Sequence, residues 1–270
     1  MSELGQLVRE MTSSMKKFIS AGLLSLAMSS VAFAQTPVST PEKTVAKSPA
    51  LATPTADQIL SRYVEAVGGA AAWKNLTSRV STGTIEIPKI QISGTVEFHE
   101  KAPNRILRVI ILNGATFRQG FDGVVAWTDD PQDGLRSETG AELEDTRFDS
   151  DFFHPLNLRK LYSKFTVTGT EKIGEHDAYV VEAVRAGSDP DKIFFDTKTG
   201  FALRLITIRH TRDGASTYQE DLEDYRDADG IRLPFIVHQS IAEPPFTIRL
   251  TEVHHNLELD DKEFSKPAAE

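Results

Sequence analysis

Two histidines and several carboxylates are the side chains of this sequence best suited to metal binding or acid–base chemistry. His254 and His255 are adjacent, and neighbouring residues of a regular strand point to opposite faces. They therefore cannot chelate one ion together, and we expect one exposed and one partly buried histidine. A metal site would require Glu252 or His238 to converge on them.

A second candidate is the segment of residues 129–134, which resembles the start of a calcium-binding loop. Pro131 occupies the third ligand position, and Gly140 stands where such a loop needs a bidentate glutamate. Motifs for zinc hydrolases, serine hydrolases, phosphate loops and dinucleotides are missing from the sequence, and so is cysteine. The sequence predicts no catalytic residues, no metal and no cofactor.

The third candidate is an acidic run on a predicted strand: Glu220, Asp221, Glu223 and Asp224. Paired carboxylates can perform acid–base chemistry, but a solvated or ion-paired strand edge is the simpler interpretation. Five arginines of other predicted strands are available as cross-strand partners: Arg204, Arg209, Arg226, Arg232 and Arg249.

The first 34 residues have the layout of a cleavable secretory signal. Lys16 and Lys17 precede an apolar run over residues 18–28, and small residues precede Gln35. This run is shorter than the roughly 20 apolar residues that span a bilayer, so a membrane anchor is the less favoured alternative. Met15 would give such a signal a cleaner start. We expect a secreted or periplasmic protein with no integral membrane segment after cleavage.

The amino-acid composition of the rest of the chain indicates its division into a linker and a domain, and the charge excludes some classes of partner. Residues 35–55, rich in Pro, Thr, Ser and Ala, are predicted to be a flexible linker, and residues 56–268 a single domain. The full chain carries a formal charge of −9, and the predicted signal segment is slightly basic. A basic footprint is missing, which argues against nucleic acid and anionic membrane surfaces as partners.

Hydrophobic periodicity predicts one helix followed by a long series of strands. Apolar residues recur at helical spacing over residues 57–67, and the pattern changes to a strand period from Val80 onward. Residues 106–112 are apolar at nearly every position, and we expect them to be covered on both faces. The predicted strands span residues 90–98, 106–112, 115–121, 124–127, 165–172, 178–184, 192–196, 201–209, 216–225, 231–239 and 246–253.

The fold class that follows is mainly β with helices (α+β). Residues 129–164 interrupt the strands and are predicted to form one or two short helices separated at Pro155. An antiparallel sheet of about a dozen strands must curl or split. We therefore expect a strongly curved antiparallel sheet, or half-open β-barrel, capped by the N-terminal helix and the inserted short helices. A hollow that side chains do not fill would be an apolar pocket.

Three strand–turn–strand corners follow the N-terminal helix in a distinctive order: residues 121–127 (FDGVVAW), 194–204 (FFDTKTGFALR) and 224–235 (DYRDADGIRLPF). In this order they resemble the lipoprotein-carrier superfamily of LolA and LolB, and within it the secreted single-domain bacterial members. The resemblance covers residues 55–267. It implies a half-open barrel with helices as a lid. It also implies a non-enzymatic role in which an acyl chain or another apolar ligand is shielded from water.

Two features depart from the pattern of that superfamily. The predicted cleavage site has no cysteine, which the lipid-anchored branch requires. The carrier branch has an inward-pointing arginine that gates its cavity. Arg105, Arg108 and Arg118 are candidates for that arginine, and none of them lies in a motif that aligns.

Alternating apolar residues of the strands, together with two phenylalanines of the insertion, are the candidate cavity-lining residues. Ordinary core packing is the alternative for each of them. The candidates are Ile92, Val96, Phe98, Ile110, Trp127, Phe152, Phe153, Leu203, Leu233, Phe235, Phe246 and Ile248.

Three functions remain open at this point. The first is a carrier or sensor of a lipid-like small molecule or acyl chain, which predicts an apolar cavity under a lid. The second is an interaction or accessory module with an envelope protein as partner, which predicts a filled interior and an exposed apolar patch. The third is a hydrolase without a recognised motif, which requires a histidine or a carboxylate pair in a cleft.

Overall fold

The computed structural model describes residues 53–185, 189–212, 214–240 and 244–268. The predicted signal segment, residues 1–34, and all but the end of the predicted linker, residues 35–55, lie outside the described residues. Among the described residues, no helix combines the length and the hydrophobicity needed to cross a membrane.

One antiparallel sheet of 13 strands forms the body of the molecule. Its strands are β1 (Ser78–Ile87), β2 (Ile92–Lys101), β3 (Arg105–Leu112), β4 (Ala115–Phe121), β5 (Ala126–Asp130), β6 (Gly134–Ser137), β7 (Lys164–Ile173), β8 (His176–Val184), β9 (Asp191–Asp196), β10 (Ala202–Thr211), β11 (Gly214–Ala228), β12 (Ile231–Ser240) and β13 (Phe246–His255). The spatial order is β6-β5-β4-β3-β2-β1-β13-β12-β11-β10-β9-β8-β7. Within the described residues β6 and β7 are unpaired edges, so the sheet is not closed.

The sheet is strongly curved. Arg108 on β3 and Leu205 on β10 line one cavity, although β3 and β10 are six strand positions apart in the sheet. A flat sheet would place two such strands roughly 29 Å apart, because neighbouring strands are about 4.8 Å apart. The inner side chains therefore meet across a hollow. This confirms the predicted fold class, a half-open barrel that is mainly β with helices.

Four α-helices lie in the described part of the chain: α1 (Ala56–Ala66), α2 (Gly69–Lys74), α3 (Gly140–Asp149) and α4 (His154–Leu161). A capping box starts α1, since the Thr55 hydroxyl accepts from the Gln58 N–H and the Gln58 side chain accepts from the Thr55 N–H. Ile59 and Leu60 on α1 pack with Leu158 of α4 over the inner face of β8 and β9. These apolar contacts hold α1 and α4 on the sheet.

The junction between α1 and α2 is fixed against the β11–β12 turn. Gly68 has a φ of 111°, and a Cβ at this position would lie 2.4 Å from the Gly230 carbonyl oxygen. The Arg232 N–H donates to the Val67 carbonyl at 3.1 Å. Only glycine permits this close approach of two backbones, so the helix pair is held at one place over the sheet.

The insertion differs from its prediction in two ways. Residues 129–137 form the β5–β6 hairpin before the helices begin, because Asp130 accepts from the N–H groups of Gln132 and Asp133 and so closes a tight turn. Pro155 lies in the first turn of α4 rather than between the helices, where its missing N–H costs nothing. The outer face of β3 is also less covered than expected, since Ile111 is 42% exposed.

Candidate ligand-binding cavity

Two adjoining cavities lie on the inner face of the sheet. The first, which we call the sheet cavity, has a volume of about 190 Å³ and is enclosed by β1, β2, β3, β12 and β13. Its apolar walls are Phe98, Leu233, Pro234, Val237, Ile248 and Leu250. Burying a ligand's methylene groups against such walls yields about 0.8 kcal/mol for each group.

The second cavity, which we call the helix cavity, lies between the sheet and the helices and has a volume of about 260 Å³. Tyr63 of α1 and Trp73 of α2 line it, as do Phe152 and Pro155 near the start of α4. It shares several wall residues with the sheet cavity, including Val237. The helices therefore roof this part of the hollow without filling it.

A row of charged side chains crosses three neighbouring strands between the two cavities. Arg79 on β1 faces Glu100 on β2, and Phe98 on the same face of β2 faces Arg108 on β3. The Arg79 Nε donates to Glu100 at 2.5 Å. Burial opposes ionisation of Glu100 more than any other single influence. The charge and hydrogen bond of Arg79, with the nearby charges of Arg108 and His255, together outweigh it and lower the pKa of this carboxyl. Two guanidinium groups thus share one carboxylate.

Glu220 on β11 is a fully buried acid in the wall of the helix cavity. Its Oε1 accepts a hydrogen bond from the Gln239 amide at 2.7 Å, and its Oε2 has no partner among the described residues. Burial raises the pKa of Glu220 well above its usual value, and the charges of Arg209 and Arg108 offset this only in part. Burial therefore favours the neutral form of Glu220, which can donate a hydrogen bond.

Buried ion pairs attach α3 to the sheet beside the helix cavity. Arg209 on β10 donates to Asp149 at 2.9 Å, and Arg185 donates to Asp145 at 2.9 Å. The Phe148 ring lies 4.5 Å from the Arg185 guanidinium carbon and 5.5 Å from that of Arg209. Each buried charge has a close partner, which offsets its desolvation cost. These contacts hold α3, and with it the segment that leads to Phe152.

A hydrogen-bonded chain connects the cavity to the base of α3. Arg108 donates to Gln119 at 2.8 Å, and Gln119 donates to Glu138 at 2.9 Å and to Thr146 at 3.2 Å. Burial raises the pKa of Glu138 to about 7, although its hydrogen bonds with Thr146 and Gln119 favour the charged form. Glu138 therefore titrates near neutral pH inside the protein.

Eight of the predicted cavity residues lie in or directly beside the hollow. Four of them line the cavities: Phe98, Phe152, Leu233 and Ile248. Four others belong to the buried cluster that fills the adjoining end of the hollow: Ile92, Val96, Ile110 and Phe246. That ligand contacts involve these residues stays a prediction.

Four predicted cavity residues lie elsewhere. Trp127 packs on the outer face over Gly120, and its Nε1 donates to the Phe264 carbonyl at 2.9 Å. Phe153 packs edge-on against Phe152 without lining either cavity. Leu203 lies at a bulge of β10 and packs with the outer-face cluster around Phe194, because the bulge reverses the alternation of side chains.

Phe235 is also turned away from the cavities, and its ring lies 4.6 Å from the Arg226 guanidinium carbon. The cause is a local kink, because Asp224 opposite it has a φ of 55°. Leu222 and Tyr225 both line the helix cavity, although a regular strand would send them to opposite faces. The kink therefore reverses the facing of side chains at this point of the sheet, and this reversal excludes Phe235 from the inner face.

Of the three candidate arginines, Arg108 alone lines the cavities. Arg105 donates to the Asp122 carbonyl, and Arg118 pairs with Asp129. Arg79, which was not among the predicted residues, also lines both cavities. The sequence does contain a signal for this position, because Arg79 falls on the same face of β1 as the apolar residues that alternate along that strand.

The other chemistry-bearing groups of the sequence are structural. His254 is exposed, and the His255 side chain is 1% exposed with Asp229 as its partner. The acidic run was predicted as a solvated or ion-paired edge, and this is wrong for Glu220, which is buried on an interior strand of the sheet. Asp221 does pair with Arg204. Within the described residues, no three His, Asp or Glu side chains come together as a metal site.

Comparisons with known proteins agree with this geometry at the level of the fold. No family model matches the chain, and none of the curated proteins does. A DUF1329 family protein from Desulfovibrio piger matches with a TM-score of 0.51 and 12% identity over 79% of this chain and 98% of the other. A LolA superfamily protein from Nitrosomonas europaea matches with a TM-score of 0.50 and 12% identity over 79% and 99%. The chain has a LolA-like fold, as its turn motifs predicted.

Proposed function

We propose that this protein is a secreted or periplasmic, non-enzymatic carrier or sensor that binds a lipid-like or other hydrophobic ligand in the sheet cavity and the helix cavity. The observation that carries the proposal is the apolar hollow on the inner face, roofed by helices and walled by residues such as Val237 and Ile248. The LolA-like fold supports it, because the resemblance implies a carrier of apolar ligands. The signal-like residues 1–34 support export.

The two alternative functions have weaker support. An interaction module with a filled interior does not need the two cavities. A hydrolase needs a base beside a nucleophile. His154 and Asp151 line the helix cavity, but no serine, threonine or cysteine is among its described wall residues. Glu220 bonds to the Gln239 amide, and Asp149 bonds to Arg209.

A cavity-filling variant tests the proposal. Val237→Phe places a larger side chain where both cavities meet, whereas Val124→Phe changes a residue that is 70% exposed. Binding of the neutral fluorescent probe N-phenylnaphthylamine is measured by titration, with thermal unfolding as the folding control. We expect saturable binding by the wild type and by Val124→Phe. Val237→Phe should bind about tenfold more weakly, the effect of excluding roughly two methylene equivalents.

The outcomes of this titration show whether the protein binds the probe and whether the probe occupies the two cavities. If the wild type shows no saturable binding, the proposed function is wrong. If Val237→Phe folds and binds as tightly as Val124→Phe, the ligand does not occupy these cavities.

A further inference from the structure

The charged side chains in the hollow are unexpected for a site that takes only hydrocarbon. Arg79, Glu100 and Arg108 line both cavities among aliphatic and aromatic walls. Removing a guanidinium group from water is costly unless it is paired. Arg79 has Glu100 as its partner, but Arg108 makes no ion pair within the described residues, and its side-chain bond is to the neutral amide of Gln119.

The other charges around the hollow do not balance Arg108. Asp149 is held by Arg209. Asp151 accepts from the Asn157 amide and from a backbone N–H, and Asp151 and the exposed Arg232 contribute opposite charges to the wall of the helix cavity. Arg79 and Arg108 share the single carboxylate of Glu100, so this group of side chains carries one positive charge in excess at the junction of the two cavities.

Two buried polar atoms at the hollow have no hydrogen-bond partner among the described residues. They are Nη1 of Arg79 and Oε2 of Glu220. The Glu220 residue has no exposed surface, and its burial raises its pKa and so favours the neutral form, which can donate. Arg79, Arg108 and Glu220 therefore offer donors from three strands to one region of an apolar cavity.

We propose, building on the carrier function above, that the ligand is a monocarboxylic acid with an apolar chain, of the free fatty acid class, whose carboxylate binds Arg108 and Arg79 beside Glu220. The chain lies in the sheet cavity between Phe98 and Ile248. A carboxylate matches the single unpaired charge, and its planar shape suits the guanidinium fork. A phosphate head group would bring more negative charge than the hollow can balance.

The test compares two probes of equal chain length, decanoate and decanol, as competitors of N-phenylnaphthylamine at neutral pH. The wild type should bind decanoate at least about tenfold more tightly than decanol, the effect of a charge-assisted hydrogen bond. Arg108→Met should abolish this preference by weakening decanoate binding at least about tenfold, and thermal unfolding of the variant checks that it is folded. Arg118→Met, on the outer face of the adjacent strand, is the matched control and should keep the preference.

A second variant tests the role of Glu220. Glu220→Gln retains a neutral donor of the same shape, so decanoate affinity should stay within about threefold of the wild type. An increase of more than about tenfold would mean that an ionised Glu220 repels the ligand, and it would overturn the proposal.

The failures of the two proposals are distinguishable. If decanol and decanoate bind the wild type equally, or if Arg108→Met weakens both probes alike, the carboxylate site is wrong and the carrier function stands. If neither probe nor N-phenylnaphthylamine binds, the carrier function itself is wrong.

Discussion

The two halves of the inner face are packed differently. Over β8, β9 and β10, side chains of α1 and α4 such as Leu60 and Leu158 fill the space above the sheet. Over β1, β2, β3, β11, β12 and β13, the helices form only a roof, and the two cavities remain beneath it, with Ala202 and Leu205 of β10 at the border. We call these the filled half and the hollow half. The difference indicates that helix docking stabilises the fold on one side and leaves the other side free for binding.

The arginines of the two halves show the same contrast. Arg185 and Arg209 in the filled half each have a buried aspartate within hydrogen-bond distance. Arg108 in the hollow half has only an amide side chain as its bonded partner within the described residues. Paired arginines secure a helix, whereas an arginine without a carboxylate partner is available to a ligand.

The largest expected effect comes from breaking a paired arginine of the filled half. Asp149→Asn leaves Arg209, which is 1% exposed, without its carboxylate, and should lower the free energy of unfolding by about 3–5 kcal/mol. Urea denaturation measures the change. The control is Asp224→Asn, which breaks an exposed ion pair with Arg226 and should leave the free energy of unfolding unchanged within experimental error. Equal effects of the two variants would contradict the role given to the α3 ion pairs.

A somewhat smaller loss of stability is expected when buried apolar side chains are truncated, and this loss should differ between the two halves. Leu60→Ala removes a side chain that is 1% exposed in the filled half and should cost about 3 kcal/mol. Leu233→Ala enlarges an existing cavity, where the side chain already lacks neighbours on one side, and should cost about 1 kcal/mol. Denaturant titration of both variants measures the two losses in the free energy of unfolding and therefore their ratio. A larger loss for Leu233→Ala would reverse the assignment of filled and hollow halves.

The last predicted effect is a pH dependence from Glu138, whose folded pKa of about 7 lies above its usual value of 4.5. The folded protein therefore holds this proton more tightly than the unfolded chain does. The resulting stabilisation is complete below the unfolded pKa and is lost as the pH rises through about 7, by on the order of 3 kcal/mol. Glu138→Gln should remove this dependence.

Unfolding free energies of the wild type and Glu138→Gln between about pH 5 and pH 8 provide the test. The difference between the two proteins should change across this range. A constant difference would show that Glu138 does not titrate there.

The sheet and its turns could be predicted because their signals are local. Asp122-Gly123 and Asp229-Gly230 mark turns where Gly123 and Gly230 have φ values of 98° and 85°, and alternating apolar residues mark the strands between. The same alternation placed Val96 and Ile248 on the inner face. The order of these signals was sufficient to recognise the LolA-like fold.

The parts that could not be predicted depend on contacts between distant segments. The outward position of Trp127 requires the C-terminal Phe264 to cover it. Phe235 is displaced by a kink at Asp224 on the neighbouring strand. The burial of Glu220 depends on helices that are far from it in sequence. The sequence alone therefore predicts an acidic run at a surface edge, although one residue of that run is a buried acid.

Native mass spectrometry of the protein purified from its own source, followed by solvent extraction, tests the central claim most directly. An apolar hollow that binds its ligand should yield a population heavier than the polypeptide, with the extra mass released as an apolar molecule that carries one carboxylate. A mass equal to the polypeptide alone, in a protein that also fails to bind N-phenylnaphthylamine, would contradict the account.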